Sequence, residues 1–346
     1  MTAPPDMAPT DSAAPNVHTL LTRGRLEIAG RLTDASNVTL LGRLELDGAT
    51  LHCIYKPIRG ERPLWDFPSG TLAYREFAAY RLSEVAGWHC VPMTVLRPGP
   101  FGDGMVQEWI GPAPDLVLEP ADTDDTDDTD DADGAEDGAD GEIGDDADDL
   151  ADESDDEYLE LDDEYLIDPG IDDAAGPAGT GSDEITPLPE DLVVLVPSTE
   201  VPAGWLPVFR ALDNDGTVLA VCHADDPRLA VIAGFDAVVN NADRKAPHLL
   251  TTADERILGV DHGLTFHVED KLRTILWGWA GLPLPSAVLD GLRRLKRWIA
   301  EPDDELGTLL TRSELRELAR RIDRLLAERV FPDPPQDRTP IPWPPL

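Results

Sequence analysis

One stretch decides how much of this chain can fold. Between Glu119 and Glu190 lie 32 of its 69 acidic residues and none of its 28 basic ones. The run that starts Asp122-Thr-Asp-Asp-Thr-Asp-Asp-Thr holds few large apolar side chains and a dense like charge. Such a segment cannot bury enough surface to offset the entropy of ordering, and it is predicted to be disordered. It also carries most of the net charge: the 346 residues sum to −41, and removing these 32 charges leaves −9. The expected organisation is a disordered N-terminus over 1–19, a β-rich lobe over 20–118, the acidic insert over 119–190 and a mainly helical lobe over 191–331. A tail over 332–346, where seven of fifteen residues are Pro, is predicted to be extended.

Cys53, Cys90 and Cys222 are scattered without pairs at ligand spacing, and the first 19 residues lack a charged start followed by an apolar core. No apolar run approaches the ~20 residues of a spanning helix. A cytoplasmic protein without stable membrane association is the expectation.

Alternation sets in from Leu20. Val38, Leu40, Leu44 and Leu46 fall on one face of a strand, and Leu51, Cys53 and Tyr55 on one face of the next. Asp47-Gly48 between them suits a type I′ turn, so Leu40 to Lys56 is predicted to be a hairpin, with Lys56 opposite Cys53 and Tyr55. Gly70 to Gly87 is predicted to be a helix whose apolar stripe, Leu72, Ala79, Leu82 and Ala86, contains Glu76. A carboxylate on a buried face needs a cation, and Lys56 is the obvious one. A strand Lys joined to a helix Glu is the pair that positions nucleotide phosphates in kinase-type folds. The Thr33–Asn37 loop before the hairpin is either an ordinary loop or a phosphate-covering turn, with Ser36 and Asn37 as candidate contacts.

The richest stretch is Phe235-Asp-Ala-Val-Val-Asn-Asn-Ala-Asp243-Arg244-Lys245-Ala-Pro-His248, followed by Gly259-Val-Asp261-His262-Gly263. Two apolar runs each stop at a carboxylate, and Asp226-Pro227 marks the start of the helix that leads into the first. Asn240 and Asn241 suit loop bracing. Strands are further predicted from Gly104 to Ile110, around Leu192 and over Thr217 to His223. Helices are predicted over Ser286 to Ala300 and Ser313 to Val330, and their basic clusters read first as solvated faces.

The Asp243-Arg244 loop, His248 five residues after the Asp, and Asp261-His262-Gly263 together resemble the catalytic and metal loops of phosphatidylinositol 3-/4-kinase-like proteins and of HipA-type kinases. The pattern is most similar to an actinobacterial subfamily of these kinase-like proteins, over roughly 20–110 and 190–285. The resemblance implies an α+β, two-lobed protein-kinase-like fold. It implies that ATP binds with Mg or Mn, that Asp243 and Arg244 are catalytic, and that Asp261 and His248 hold the metal. His248 stands where the family carries Asn, and imidazole suits Mn better than Mg. Lys56, Glu76, Ser36 and Asn37 would bind the nucleotide, and the linker residues Gln107, Glu108 and Trp109 would contact adenine.

Three functions remain open at this stage. They are γ-phosphate transfer to a hydroxyl acceptor, a pseudokinase or nucleotide-binding interaction module without turnover, and nucleotidyl transfer on the same scaffold. The expected partners are a nucleotide and a soluble protein or small-molecule acceptor, because the acidic chain should be repelled by an anionic membrane; no nucleic-acid partner is expected. A zinc centre is disfavoured, since Asp243, His248, Asp261 and His262 do not follow a zinc-ligand spacing. The acidic insert is either a plain spacer or an electrostatic gate over the cleft.

Overall fold

The Asp47-Gly48 turn organises the first half of the molecule. Both residues take positive φ, 50° and 80°, as a two-residue hairpin turn requires. The computed structural model describes residues 15–32, 37–112, 166–167, 191–212, 217–300 and 304–346. The expected acidic insert lies outside them apart from one two-residue strand.

After a short helix α1 (Val17–Arg23), whose Asn16 side chain caps Thr19, come strands β1 (Arg25–Leu32), β2 (Leu40–Leu46) and β3 (Ala49–Pro57). The 15-residue helix α2 (Leu72–Ala86) follows, then β4 (Thr94–Gly99), β5 (Gly102–Glu108) and β6 (Leu166–Ile167). These strands form one sheet in the order β4-β5-β3-β2-β1-β6. Its neighbours are antiparallel, except that β6 runs parallel to β1. The β2–β3 register pairs Leu46 with Ala49 and Leu40 with Tyr55, so Leu40, Leu44, Cys53 and Tyr55 share one buried cluster with Leu21 of α1. The helix at Val17 is a departure from the expected frayed terminus. It forms because Leu20 and Leu21 are buried once the sheet is present, the tertiary gain that a short helix needs.

The second half is mainly helical. Strands β7 (Val193–Pro197), β8 (Trp205–Leu212) and β9 (Val218–Ala224) make a small antiparallel sheet with β9 central. Helix α3 (Pro227–Val239) starts from the Asp226 cap and stops at Asn240, which is left-handed at φ 57°. The strand pair β10 (Leu249–Thr251) and β11 (Ile257–Gly259) follows, then α4 (Ser286–Ala300), α5 (Asp304–Leu309) and α6 (Arg312–Glu328). One core joins α2, α3, α4 and α6, with Leu82, Phe235, Val238, Val288, Leu292 and Ile322 at its centre. The chain is therefore a mixed α+β protein with an antiparallel sheet first and helices after. No described helix is long and apolar enough to cross a membrane.

Buried polar links bind the halves. Arg75 of α2 donates to Glu314 of α6 at 2.5 Å and to the Thr265 carbonyl at 2.7 Å, and Glu314 also completes the α6 capping box with Thr311. Trp88 donates to the Ala287 carbonyl, and Arg294 to that of Ala86. The Pro-rich tail has no helix or long strand, as expected, but it lies against the body. The Pro340 carbonyl accepts from Thr274 N–H and Trp277 Nε1, and the Pro345 carbonyl accepts from Ala246 N–H.

His223 locks β9 to the turn at Gly278. It is fully buried; its Nε2 accepts the Gly278 N–H at 3.0 Å, so Nδ1 carries the proton that bonds the Ala224 carbonyl at 2.9 Å. Burial pushes its pKa down to about 4. The unfolded chain then binds a proton near pH 6.5 that the folded protein refuses, so this contribution is intact above that pH and is lost as pH falls toward 4. His223→Gln keeps an acceptor and removes the titration. Between pH 7 and pH 4 the stability advantage of wild type over this variant should shrink by up to roughly 3 kcal/mol. Paired denaturant melts measure it, and a pH-independent difference would refute the assignment.

Candidate functional site

The site begins with strand alternation. Cys53, Tyr55 and Pro57 of β3 face the core, so Lys56 faces the other way, into the space between sheet and helices. Glu76 lies on the buried side of α2 and is 1% exposed. Lys56 Nζ stands 2.6 Å from Glu76 Oε1 and 2.9 Å from Asp261 Oδ1. The other Glu76 oxygen accepts the His262 N–H at 2.8 Å. One helical carboxylate thus ties the strand lysine to the Asp261–Gly263 turn, where Asp261 is held left-handed at φ 59°.

Charge decides the protonation of this group. Burial opposes the Lys56 ammonium, yet Asp261 and Glu76 beside it outweigh that effect and hold its pKa above the usual range. The Asp261 side chain is 47% exposed, and Lys56 beside it holds its carboxylate well below the usual range. Burial pushes Glu76 up despite its lysine partner. A single ammonium cannot fully satisfy two carboxylates.

Asp243 lies across the cleft. Its N–H is held by Asn241 Oδ1 at 2.9 Å, and its carboxylate pairs with Lys245 at 3.2 Å. Burial raises the Asp243 pKa to about 6 against the pull of Lys245. Arg244 adds a weaker pull of the same sign. The Arg244 guanidinium points into the interior and is fully buried. It bonds both Asp236 oxygens, at 2.9 and 3.0 Å, the Val260 and His248 carbonyls, and His262 Nε2. It braces the site and does not line the cleft.

His248 Nδ1 lies 2.9 Å from the Asp243 carbonyl, which can only accept, so Nδ1 carries the proton and Nε2 a lone pair. Burial lowers the His248 pKa to about 4, which keeps the ring neutral at pH 7. Its Nε2 faces Asp261 Oδ2 at 3.5 Å, acceptor against acceptor. Ligand atoms of Asp243, His248 and Asp261 all lie within 4.8 Å of one another. A neutral imidazole nitrogen beside the Asp261 carboxylate suits a divalent cation, and the nitrogen favours Mn over Mg.

A cleft of about 360 Å³ opens beside these groups, lined by Lys56, Asp243 and Asp261 together with Asn37, Thr39, Arg62, Leu64, Leu72 and Leu264. Asn37 accepts the Arg62 N–H at 2.8 Å, which ties the β1–β2 connection to the segment before α2. Ser36 lies outside the described residues. The linker residues sit elsewhere than expected. Gln107 is buried and donates to Thr94 Oγ1, Glu108 N–H bonds the Met93 carbonyl, and Trp109 N–H bonds that of His52. None of the three lines the cleft. A second hollow, about 480 Å³, instead borders the next residues, Ile110 to Pro112, and faces Leu249, Leu250 and Thr251. Sequence reasoning missed Lys245, Arg62 and Asp236. Only Asp236 gave a signal, as a carboxylate inside the apolar run of α3.

No family model matches the chain. The Helicobacter pylori proinflammatory kinase CtkA aligns over 90% of this chain and 94% of its own at 8% identity, with a TM-score of 0.37, too distant a likeness to assign a fold. The Mycobacterium tuberculosis protein Rv2133c is 39% identical over 328 residues, which cover 94% of each chain. With four residues in ten identical along nearly the whole length, the chain belongs to the family of Rv2133c.

Proposed function

We propose that this protein is a kinase-like phosphotransferase that moves the γ-phosphate of ATP to a hydroxyl acceptor. The observation that carries this reading is one ammonium, Lys56 Nζ, bonded to both Glu76 and Asp261, with Asp243 and His248 clustered around the same Asp261. Phosphoryl transfer needs positioning and charge stabilisation more than covalent help. Lys56, held by Glu76, is the cation for the nucleotide phosphates. Asp261 and His248 Nε2 would hold the divalent metal, which when bound neutralises phosphate charge and orients the triphosphate.

Asp243 takes the acceptor's proton. With a pKa of about 6, most of it is ionised at pH 7, and it is basic enough to receive a proton as the hydroxyl attacks. Lys245, 3.2 Å from that carboxylate, offers a second positive charge at the same spot. The hollow between Ile110–Pro112 and Leu249–Thr251 suits the adenine end, in place of Gln107 to Trp109. A soluble acceptor fits the acidic chain better than an anionic lipid surface.

Variants separate the roles. Asp261→Asn and Lys56→Met should each weaken binding of Mn-ATP by at least about tenfold, the scale of one lost charge-assisted contact. Asp243→Asn should leave binding nearly intact and remove transfer of the terminal phosphate label. Equal binding loss in Asp243→Asn and Asp261→Asn would refute the base role. Label arriving from the α-phosphate would replace phosphotransfer with nucleotidyl transfer.

The metal ligand has its own test. His248→Asn restores an oxygen donor, so nucleotide binding supported by Mn should fall relative to that supported by Mg, by about tenfold. Calorimetric titrations with each cation read the ratio; an unchanged ratio means that His248 is not a ligand.

A further inference from the structure

The outer face of α6 carries a second charge cluster, which shares no residue with the cleft. Glu317, Arg320, Arg321 and Arg324 recur at three- and four-residue spacing and so project to one side of the helix. With Val268 and Asp270 they line a hollow of about 220 Å³. Arg320, 71% exposed, pairs with Glu317, and Arg324, 45% exposed, reaches Asp270 at 3.9 Å. Asp270 also receives Arg338 at 3.2 Å.

Arg321 differs from its neighbours. It is 7% exposed, and its Nε and Nη1 donate to the carbonyls of Val238, at 2.9 Å, and His267, at 3.2 Å. Both acceptors are neutral. Its Nη2 is buried and has no hydrogen-bond partner among the described residues. Burial pushes the guanidinium pKa down to about 10, as expected for a cation with no counter-ion in contact. An unsatisfied buried N–H is costly, and one on a charged group is costlier. Around the hollow three guanidinium groups stand against two carboxylates, so the local field is positive although the chain as a whole is strongly acidic.

We propose that this hollow binds a small oxyanion of the phosphate class, held by the guanidinium groups of Arg320 and Arg324, with the unpaired charge of Arg321 in the wall behind them. Planar guanidinium groups match phosphate oxygens in pairs of hydrogen bonds. The volume lies below the ~300 Å³ where sites for drug-sized ligands begin, so it suits a phosphate or phosphomonoester group and not a nucleotide. The bound anion also fixes the arginine that holds Val238, the last residue but one of α3, and His267. The site does not depend on the phosphotransfer reading.

The experiment is a titration of the full chain with inorganic phosphate and, separately, glycerol 2-phosphate, at constant ionic strength set with chloride, followed by melting temperature and calorimetry. Saturable stabilisation is expected. It should persist in Lys56→Met and weaken by about tenfold or more in the double variant Arg320→Gln/Arg324→Gln. Those two side chains are exposed, so their loss leaves the fold intact, whereas Arg321→Met also removes two buried bonds and serves only as a supporting variant. Tighter binding of glycerol 2-phosphate assigns the natural ligand as a phosphomonoester; tighter binding of inorganic phosphate assigns the free anion. The proposal is overturned by a response no larger than that to chloride, by one that survives in the double variant, or by one lost in Lys56→Met.

Discussion

The buried pair of Asp236 and Arg244 is the interaction on which the site depends. Both side chains are fully buried, where an unmatched charge would be prohibitive, and both are saturated. Asp236 accepts from Arg244 twice and from Asn241 once. The Nη1 donors of Arg244 hold the carbonyl of His248 in one loop and that of Val260 in the other, and its Nη2 also meets His262 Nε2. One guanidinium thereby sets the spacing between the loop that presents Asp243 and the turn that presents Asp261. The fit leaves no space at Gly259, where an added Cβ would lie 2.9 Å from Arg244 Nη2. Removing one partner of such a pair typically costs 3–5 kcal/mol, because the other is left charged and buried. Here the same loss would also release both loops.

Local signals in the sequence were reliable wherever the physics was local. Asp226-Pro227 starts α3, Asp47-Gly48 turns the hairpin, and alternation along β3 turns Lys56 away from the core. The Lys56–Glu76 pair was accessible by one further step, since a carboxylate in an apolar stripe must find a cation. The same logic applied to Asp236 would have pointed Arg244 inward. It was obscured because Arg244 sits beside Asp243 in a polar run, which reads as an exposed loop. The bonding of the linker residues was hidden for another reason. Strand pattern places Gln107 to Trp109 near the junction of the halves, but only tertiary pairing reveals that Gln107 is spent on Thr94 and that two backbone N–H groups of the segment are spent on Met93 and His52. The docking of the tail was equally hidden. Proline lacks an N–H, but its carbonyl still accepts, and those of Pro340 and Pro345 do so.

Charge balance explains why the cleft is polar at its base and what it can accommodate. Asp243, Asp261 and Glu76 bring three carboxylates against the ammonium groups of Lys56 and Lys245. Burial raises the pKa of both Glu76 and Asp243, so negative charge is costly at both. Asp261 stays ionised, with the His248 lone pair facing it. A divalent cation at that point would convert an acceptor–acceptor contact into two coordinate bonds. The proposal of a metal there is thus argued from the excess of carboxylates over ammonium groups, independent of any likeness to other proteins.

Helix α6 extends this bracing to the far side of the molecule. Through Glu314 it grips Arg75, one residue before Glu76, so the orientation of α2 that delivers Glu76 to Lys56 is built into the interior. Through Arg321 it grips Val238, the residue before Asn240 but one, where α3 gives way to the loop of Asp243. Asn240 in turn holds the carbonyls of His267 and Glu269, and His267 is again bonded to Arg321. The two sides of the cleft are thus referenced to one helix. Its Glu314 end is closed by a saturated ion pair, whereas its Arg321 end keeps a buried donor unpaired. Any adjustment of the site transmitted through α6 should arise at the second end, where a buried donor still lacks a partner among the described residues.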